Sequence, residues 1–249
     1  MILIRIKKNL KKLVKTFIFK VGLGQSIVYF RIKHKIQSAA KLKKPLDYSN
    51  RKLFFDYNNK VVFLHIPKAA GMSIVKALYN IDKSHHATAL DYFNEDPDRF
   101  KNAFTFTIVR NPYERLYSAY IYLKRGGMNP GDKVWRDLYI SKYNSFEDFV
   151  LNGGLQNAVD CYAEHFIPQF KFIYDGESRI CDYIGYLEKI QDVEFFLSEA
   201  IGKKIVFSRK NVTSTQRINL SEIYSKKMYG VVNEIYKKDF KLLGYELNR

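Results

Sequence analysis

Two short segments carry residue types that can hold an anion. In the first, VVFLHIPKAAGMSIVKAL (Val61–Leu78), six mostly apolar residues lead through Pro67-Lys68-Ala69-Ala70-Gly71-Met72-Ser73 into a helical pattern. A helix that starts just after a strand presents unpaired backbone N–H groups and a partial positive charge, which suits a phosphate or sulfate. Small residues let the backbone close on such a group. Lys68 adds a mobile cation, and Ser73 adds a hydroxyl in the first helical turn. The lysine precedes the glycine, unlike the Walker pattern GxxxxGK[ST], so a generic ATPase or GTPase is disfavoured. In the second segment, FTFTIVRNPYERLYSAYIYL (Phe104–Leu123), Arg110 leaves a strand end and can offer its planar fork to a phosphate. Ser118 follows Asn111 by seven residues, two helical turns, so it shares that residue's face. The same residues also read as a plain strand–turn–helix with a surface lysine, a surface ion pair and a helix-packing serine.

Transfer to a hydroxyl needs a base, and histidine is the natural one near neutral pH. His34 lies in a basic N-terminal stretch. His65 sits at a strand end beside the first loop and reads as a packing or loop-bracing residue. His85 and His86 are adjacent in SHHATALDYF, and His165 lies in HFIPQ.

These residues need a scaffold that brings strand tips together. VVFLHI and FTFTIVR are β-branched, apolar runs expected as buried parallel strands. Gly71–Tyr79 is expected as helix. Asn111-Pro112 starts another, with Asn as N-cap and Pro at the first helical position, running to about Lys124 before Gly126-Gly127. SFEDFVLNGG (Ser145–Gly154) has a capping pair, Ser145 and Asp148, and a glycine stop. Asp182–Gly202 is expected as a short strand and a helix, KKIVF (Lys203–Phe207) as a further strand, and Asn219–Leu243 as a final helix. Alternating strands and helices imply an α/β fold with a mostly parallel sheet, whose ligands bind beyond the carboxyl ends of the strands. Lys124, Arg125, Trp135 and Arg136 fall in a stretch read as a loop where an acidic glycan could stack and pair.

HIPKAAGMS (His65–Ser73) resembles the 5′-phosphosulfate-binding loop of sulfotransferases. More narrowly, it is similar to the type-2 carbohydrate sulfotransferases and their bacterial relatives, whose donor is 3′-phosphoadenosine 5′-phosphosulfate (PAPS). FTIVRNPYERLYSAYIYL resembles that family's 3′-phosphate-binding strand and helix. HFIPQFKFIYDGESRICDYIGYLEKIQDV is similar to its HxxPQ…DYIGxxE stretch, and NEIYKKDFKLLGYE to its YxxDFxxxGY ending. The resemblance implies a P-loop-NTPase-like three-layer sandwich with a mostly parallel central sheet. It also implies in-line transfer of a sulfuryl group from PAPS to a carbohydrate hydroxyl, with no metal. Pro67, Lys68, Ala69, Ala70, Gly71, Met72 and Ser73 would then hold the 5′-phosphate, Lys68 would neutralise the leaving phosphate oxygen, and Arg110 and Ser118 would take the 3′-phosphate. His86-Ala87-Thr88-Ala89 matches the family's H-x-T-A segment, which makes His86 the candidate base and His85 the second candidate. His165 would be structural or acceptor-orienting. In the resembled family a polar Asn-x-Ser/Thr segment closes over the nucleotide near Thr213. A small-molecule kinase and a non-catalytic polyanion-binding protein on the same fold are the rival readings.

Of the 249 residues, 47% are hydrophobic, enough for a full core. The net charge of +17 is unevenly spread: the first 44 residues hold 13 Lys and Arg and no acid, and the rest nearly balances at 29 basic to 25 acidic. A nucleic-acid partner is therefore not expected. Residues 2–19 place Leu3, Ile6, Leu10, Leu13, Val14 and Phe17 on one helical face and lysines on the other, a pattern suited to an anionic membrane surface or polyanion. RIKHKIQSAAKLKKPLDYSN (Arg31–Asn50) reads as a basic linker, giving an extension over 1–45 and a catalytic domain over 46–249. Cys161 and Cys181 read as reduced thiols. Without an apolar run of about 18 residues, a cytoplasmic protein is expected, with peripheral contact at the inner membrane face through residues 1–20. Animal relatives of the resembled family carry a membrane anchor and lumenal disulfides, neither of which is read here.

Overall fold

The structure, a computed structural model, describes residues 23–48, 53–54, 61–207 and 219–248. The amphipathic pattern over residues 2–19 and Thr213 lie outside the described residues. In chain order the elements are α1 (Leu23–Lys41), β1 (Val61–Leu64), α2 (Gly71–Tyr79), α3 (Ala89–Glu95), α4 (Pro97–Lys101), β2 (Phe104–Val109), α5 (Pro112–Lys124), α6 (Pro130–Tyr139), α7 (Phe146–Leu151), α8 (Gly154–Asp160) and α9 (Phe170–Ile173). A small hairpin of β3 (Tyr174–Asp175) and β4 (Ser178–Arg179) follows, then β5 (Tyr183–Tyr186), α10 (Ile190–Ile201), α11 (Leu220–Ile223), α12 (Lys226–Ile235) and α13 (Lys237–Leu243).

Among the described residues the main sheet is β1-β2-β5, parallel throughout. Val61 pairs with Phe104 and Leu64 with Thr107, so β1 and β2 end side by side. All four β1 residues are buried, as are the last five of β2, which is why β1 is continuously apolar and β2 carries only threonines among apolar residues. The two β2 threonines are buried with their hydroxyls satisfied. Thr107 Oγ1 donates to Leu64 O at 2.7 Å, and Thr105 N–H and Oγ1 both donate to Asp182 Oδ2 at 2.7 and 2.8 Å. Asp182 thereby fixes the register of β5 beside β2.

The core has two parts. One surrounds the sheet and includes Phe63, Ile74, Phe106, Ile108 and Val193. The other is helical, with Tyr113, Leu116, Trp135, Phe149 and Val232 among its members. Six of the helices begin where the sequence supplies a side-chain cap. Thr88, Asp96, Asn111, Asn129, Ser145 and Ser225 each accept from a first-turn N–H of α3, α4, α5, α6, α7 and α12.

Four expectations are corrected. Lys203–Phe207 is not a strand: Ile205 N–H donates to Ser198 Oγ and Phe207 N–H to Glu194 Oε1, so α10 side chains replace a ladder. The final helix is three, because Ser225 caps α12 and Tyr236 leaves helical geometry between α12 and α13. The basic linker is largely helix α1, docked by buried Ile36 and by Tyr29, whose hydroxyl donates to Asp137 at 2.9 Å. Trp135 belongs to α6 and is 4% exposed, so it packs the core and is closed to a glycan. Beside it, Arg136 pairs with Asp137, and Lys124 donates to the Tyr143 carbonyl. No helix among the described residues is long and apolar enough to cross a membrane. Cys161 and Cys181 are free thiols.

Docking of α1 has a measurable consequence. Ile36→Ala, at a site 2% exposed, is expected to lower unfolding free energy by about 2–4 kcal/mol in urea denaturation. Phe30→Ala, at an exposed site on the same helix, is expected to stay within about 0.5 kcal/mol. Equal, negligible effects would show that α1 is undocked in solution.

Candidate active site

The loop between β1 and α2 is shaped to leave its amides open. Lys68 and Ala70 both adopt left-handed backbone, with φ of 69° and 60°, a cost for non-glycine residues that recurs where a loop wraps a ligand. Ala70 stands at the N-cap of α2 and has no side chain able to cap, unlike the capping residues named above. Ser73 N–H donates to Ala70 O at 3.1 Å, and the N–H groups of Gly71 and Met72 at the start of α2 have no side-chain cap, so they can serve an outside acceptor. Lys68, Ala70 and Ser73 are partly exposed and Met72 is exposed, whereas Pro67, Ala69 and Gly71 are buried beneath them. Gly71 is required by a neighbour: a Cβ there would stand 1.9 Å from the His65 ring. His65 stacks on Phe63, and its Nδ1 lies 2.7 Å from Ser84 Oγ, so it braces the loop from below. Burial chiefly, then His85, His165 and Lys68 beside it, lowers its pKa to about 3, so it stays neutral.

Lys68 points its ammonium over the Tyr122 ring, 3.8 Å from the centroid. Its pKa is lowered to about 8, chiefly by burial and then by Arg110, with Asp132 opposing them. Lys68 and Arg110 are therefore electrostatic neighbours, as adjacent strand tips require. Arg110 directs Nε and Nη2 to one oxygen of Glu114, at 3.3 and 3.0 Å. A phosphate at Arg110 would share the guanidinium with that carboxylate. Because Asn111 already caps α5, such a phosphate would be held by side chains rather than by that helix's amides. Ser118 is half-buried on α5, three residues after Arg115 and on the same face.

Arg115 is 1% exposed and had no assigned role in the sequence reading. Its Nε donates to Pro67 O at 3.0 Å, and its Nη2 donates to Ile167 O at 2.9 Å and His165 O at 3.4 Å. It stitches the anion loop to the HFIPQ segment. Gln169, fully buried, does the same for the other strand tip. Its Oε1 accepts from Arg110 N–H at 3.0 Å, and its Nε2 donates to Arg110 O at 2.8 Å. Asp239 in turn accepts from the N–H groups of Gln169 and Phe170, both at 2.8 Å. Glu188 accepts from Asn111 N–H at 2.6 Å and from the Tyr245 hydroxyl at 3.0 Å. The segments HFIPQ, DYIGYLE and YKKDFKLLGY thus converge on the main chain around Arg110 and Asn111.

The histidines divide by environment. His85 is buried between Tyr48 and Tyr92, and its Nε2 lies 3.0 Å from Leu53 O, which commits it to the core and argues against its second place as base. His86 meets His65 edge-on at 4.7 Å and His165 at 5.9 Å, and its Nδ1 lies 3.2 Å from Glu164 Oε2. Burial chiefly, then the neighbouring His65, His165, His85 and Arg115, holds its pKa well below 6.5. His165 is buried, with Nε2 3.6 Å from Asp132 Oδ1, and burial lowers it to about 4. Asp132 also accepts from the Tyr122 hydroxyl at 2.6 Å. Lys68, Tyr122, Asp132, His165, His86 and Glu164 therefore form one continuous run of contacts beside the loop. Arg115, Gln169, Tyr122, Asp132 and Glu164 were not assigned site roles from sequence. Arg115 had a signal, as a charge within the stripe of α5 that carries Leu116, Ala119, Tyr120 and Leu123.

Residues 51–246, most of the chain, match a family model described as sulfotransferase family. No curated protein matches the sequence.

Gln169→Leu keeps volume near the strand tip but leaves the Arg110 N–H and C=O without their partner. The expected loss is about 2–4 kcal/mol of unfolding free energy, measured by chemical denaturation. Ser118→Ala is expected to stay within about 0.5 kcal/mol. A Gln169 variant as stable as the parent would remove the clamp from the structure's support.

Proposed function

Because the chain belongs to the sulfotransferase family, we propose that it moves the sulfuryl group of PAPS to a carbohydrate hydroxyl. The observation that carries this reading is the meeting of two anion-binding tips at one edge of the sheet. An uncapped α2 with Lys68 follows β1, and Arg110 follows the adjacent β2. A nucleotide with phosphates at both ends of its ribose fits two such tips better than a linear triphosphate on one. The sugar acceptor rests on the sequence resemblance, chiefly His86-Ala87-Thr88-Ala89 and the HFIPQ stretch.

The chain's residues divide the work as follows. The amides of 70–73 and the Ser73 hydroxyl hold the 5′-phosphate, and Arg110 with Ser118 holds the 3′-phosphate. Lys68, held close by Tyr122, offsets charge on the leaving phosphate oxygen as it develops. His86 takes the acceptor proton at its Nε2. The donor supplies an activated sulfur whose bond to the 5′-phosphate is the one broken.

Two measurements check this. In calorimetry, 3′,5′-bisphosphoadenosine is expected to bind with proton uptake near pH 9. An anion beside Lys68 raises a pKa that stands at about 8 in the free protein, so the ammonium form is recovered on binding. Lys68→Met should abolish the uptake and weaken binding. Stabilisation by ATP with magnesium and not by the bisphosphate would overturn the reading in favour of a kinase. In a glycan-array assay with radiolabelled PAPS, His86→Ala is expected to lower turnover about 10²–10⁴-fold with bisphosphate affinity unchanged. Full turnover would remove His86 as base.

A further inference from the structure

The two most buried acids of this domain, Asp132 and Asp239, each accept from main-chain N–H groups and act as clamps, and half-buried Glu114 pairs with Arg110. Glu164 does neither. Among the described residues its polar partners are the Tyr48 hydroxyl at Oε1 and His86 Nδ1 at Oε2. Its side chain is 14% exposed, and no lysine or arginine pairs with it within salt-bridge distance among the described residues. A carboxyl placed there costs free energy, and no cap, turn or strand is satisfied in return. Tyr48 comes from the segment that follows α1, before the residues that match the family model. The chain thus brings a phenol from outside the matched region to a carboxyl whose other oxygen faces the candidate base.

Resting on the reading that His86 is the base, we propose that Glu164, held by Tyr48, is a positioning residue that orients His86 through Nδ1 and exchanges a proton with it. The His86 side chain keeps 20% of its surface open, and its other nitrogen, Nε2, serves the acceptor. When the acceptor oxygen bonds to sulfur and the sulfur–phosphate oxygen bond breaks, the electron pair of that bond leaves on the bisphosphate. The acceptor's proton passes to Nε2, and the Nδ1 proton passes to Glu164 Oε2. The imidazole stays neutral throughout, which suits its surroundings: His65, His85, His165 and Arg115 all disfavour a charged ring. On the Glu164 side stand Tyr48 and, from α1, Lys35. Beyond His165 lie Asp132, Tyr122 and Lys68. Burial pushes the Glu164 carboxyl up to about 8, so the pair binds one proton at neutral pH and becomes a competent base as that proton leaves.

The test uses the full chain, radiolabelled PAPS and the glycan that gives the strongest array signal. For the parent, kcat is expected to rise with pH through a limb near 8. Glu164→Gln is expected to lower kcat about 10–100-fold, to move that limb below about pH 6.5, and to leave the Kd for 3′,5′-bisphosphoadenosine unchanged. Tyr48→Phe should shift the limb in the same direction with a smaller loss. Ring-nitrogen NMR of the same proteins reports the His86 tautomer without any acceptor, and a change of tautomer in Glu164→Gln is the expected result. A Glu164→Gln protein with reduced melting temperature but an unmoved limb and tautomer would overturn the proposal and leave Glu164 structural; if that variant does not fold, an unmoved limb in Tyr48→Phe decides against it. His86→Ala with full turnover would instead sink the underlying assignment of the base, whatever Glu164 does.

Discussion

A single buried guanidinium holds the candidate site in register. Arg115 lies where the sheet core meets the helical core and is answered by three main-chain carbonyls, those of Pro67, His165 and Ile167. Removing a cation from water is costly unless its donors are filled, so this arrangement persists only while all three segments stay together. The anion loop, the histidine-bearing HFIPQ segment and α5 are bound into one unit. A loop carrying two left-handed non-glycine residues would not keep an open-amide conformation without such a restraint.

The second strand tip is held by the same logic with the polarity reversed. Arg110 must be free to offer its side chain, so its backbone is fixed by others: Gln169 takes both its N–H and its C=O, and Glu188 takes the next N–H. From the C-terminal segment, Asp239 accepts the main-chain N–H of Gln169, and the Tyr245 hydroxyl donates to Glu188. Electrostatic catalysis requires such a rigid frame, since charge must be met by groups already in place.

Much of this was legible in the sequence. Both strands, the start and end of α5 and the short strand at Tyr183–Tyr186 follow from apolar runs and from Asn-Pro and Gly punctuation. The junction of β1, a short loop and α2 followed from an apolar run ending in small residues and a lysine. What escaped was chiefly interaction across long separations. Lys203–Phe207 has strand composition, but α10 side chains satisfy its amides. Trp135 falls in a stretch read as a loop, yet it belongs to α6, which buries it. His85 and His86 are adjacent and alike, and only tertiary contacts turn one to Leu53 and the other to Glu164. Glu164 had no local signal, since its meaning depends on Tyr48, 116 residues away.

The central claim is that one bisphosphate nucleotide spans the two adjacent strand tips. A crystal structure of the full chain with 3′,5′-bisphosphoadenosine tests it most directly. The expected result is the 5′-phosphate on the amides of residues 70–73 beside Lys68, with the 3′-phosphate on Arg110 and Ser118. A nucleotide bound elsewhere, or one whose 3′-phosphate lies on the α2 amides with Arg110 still paired only to Glu114, would contradict it.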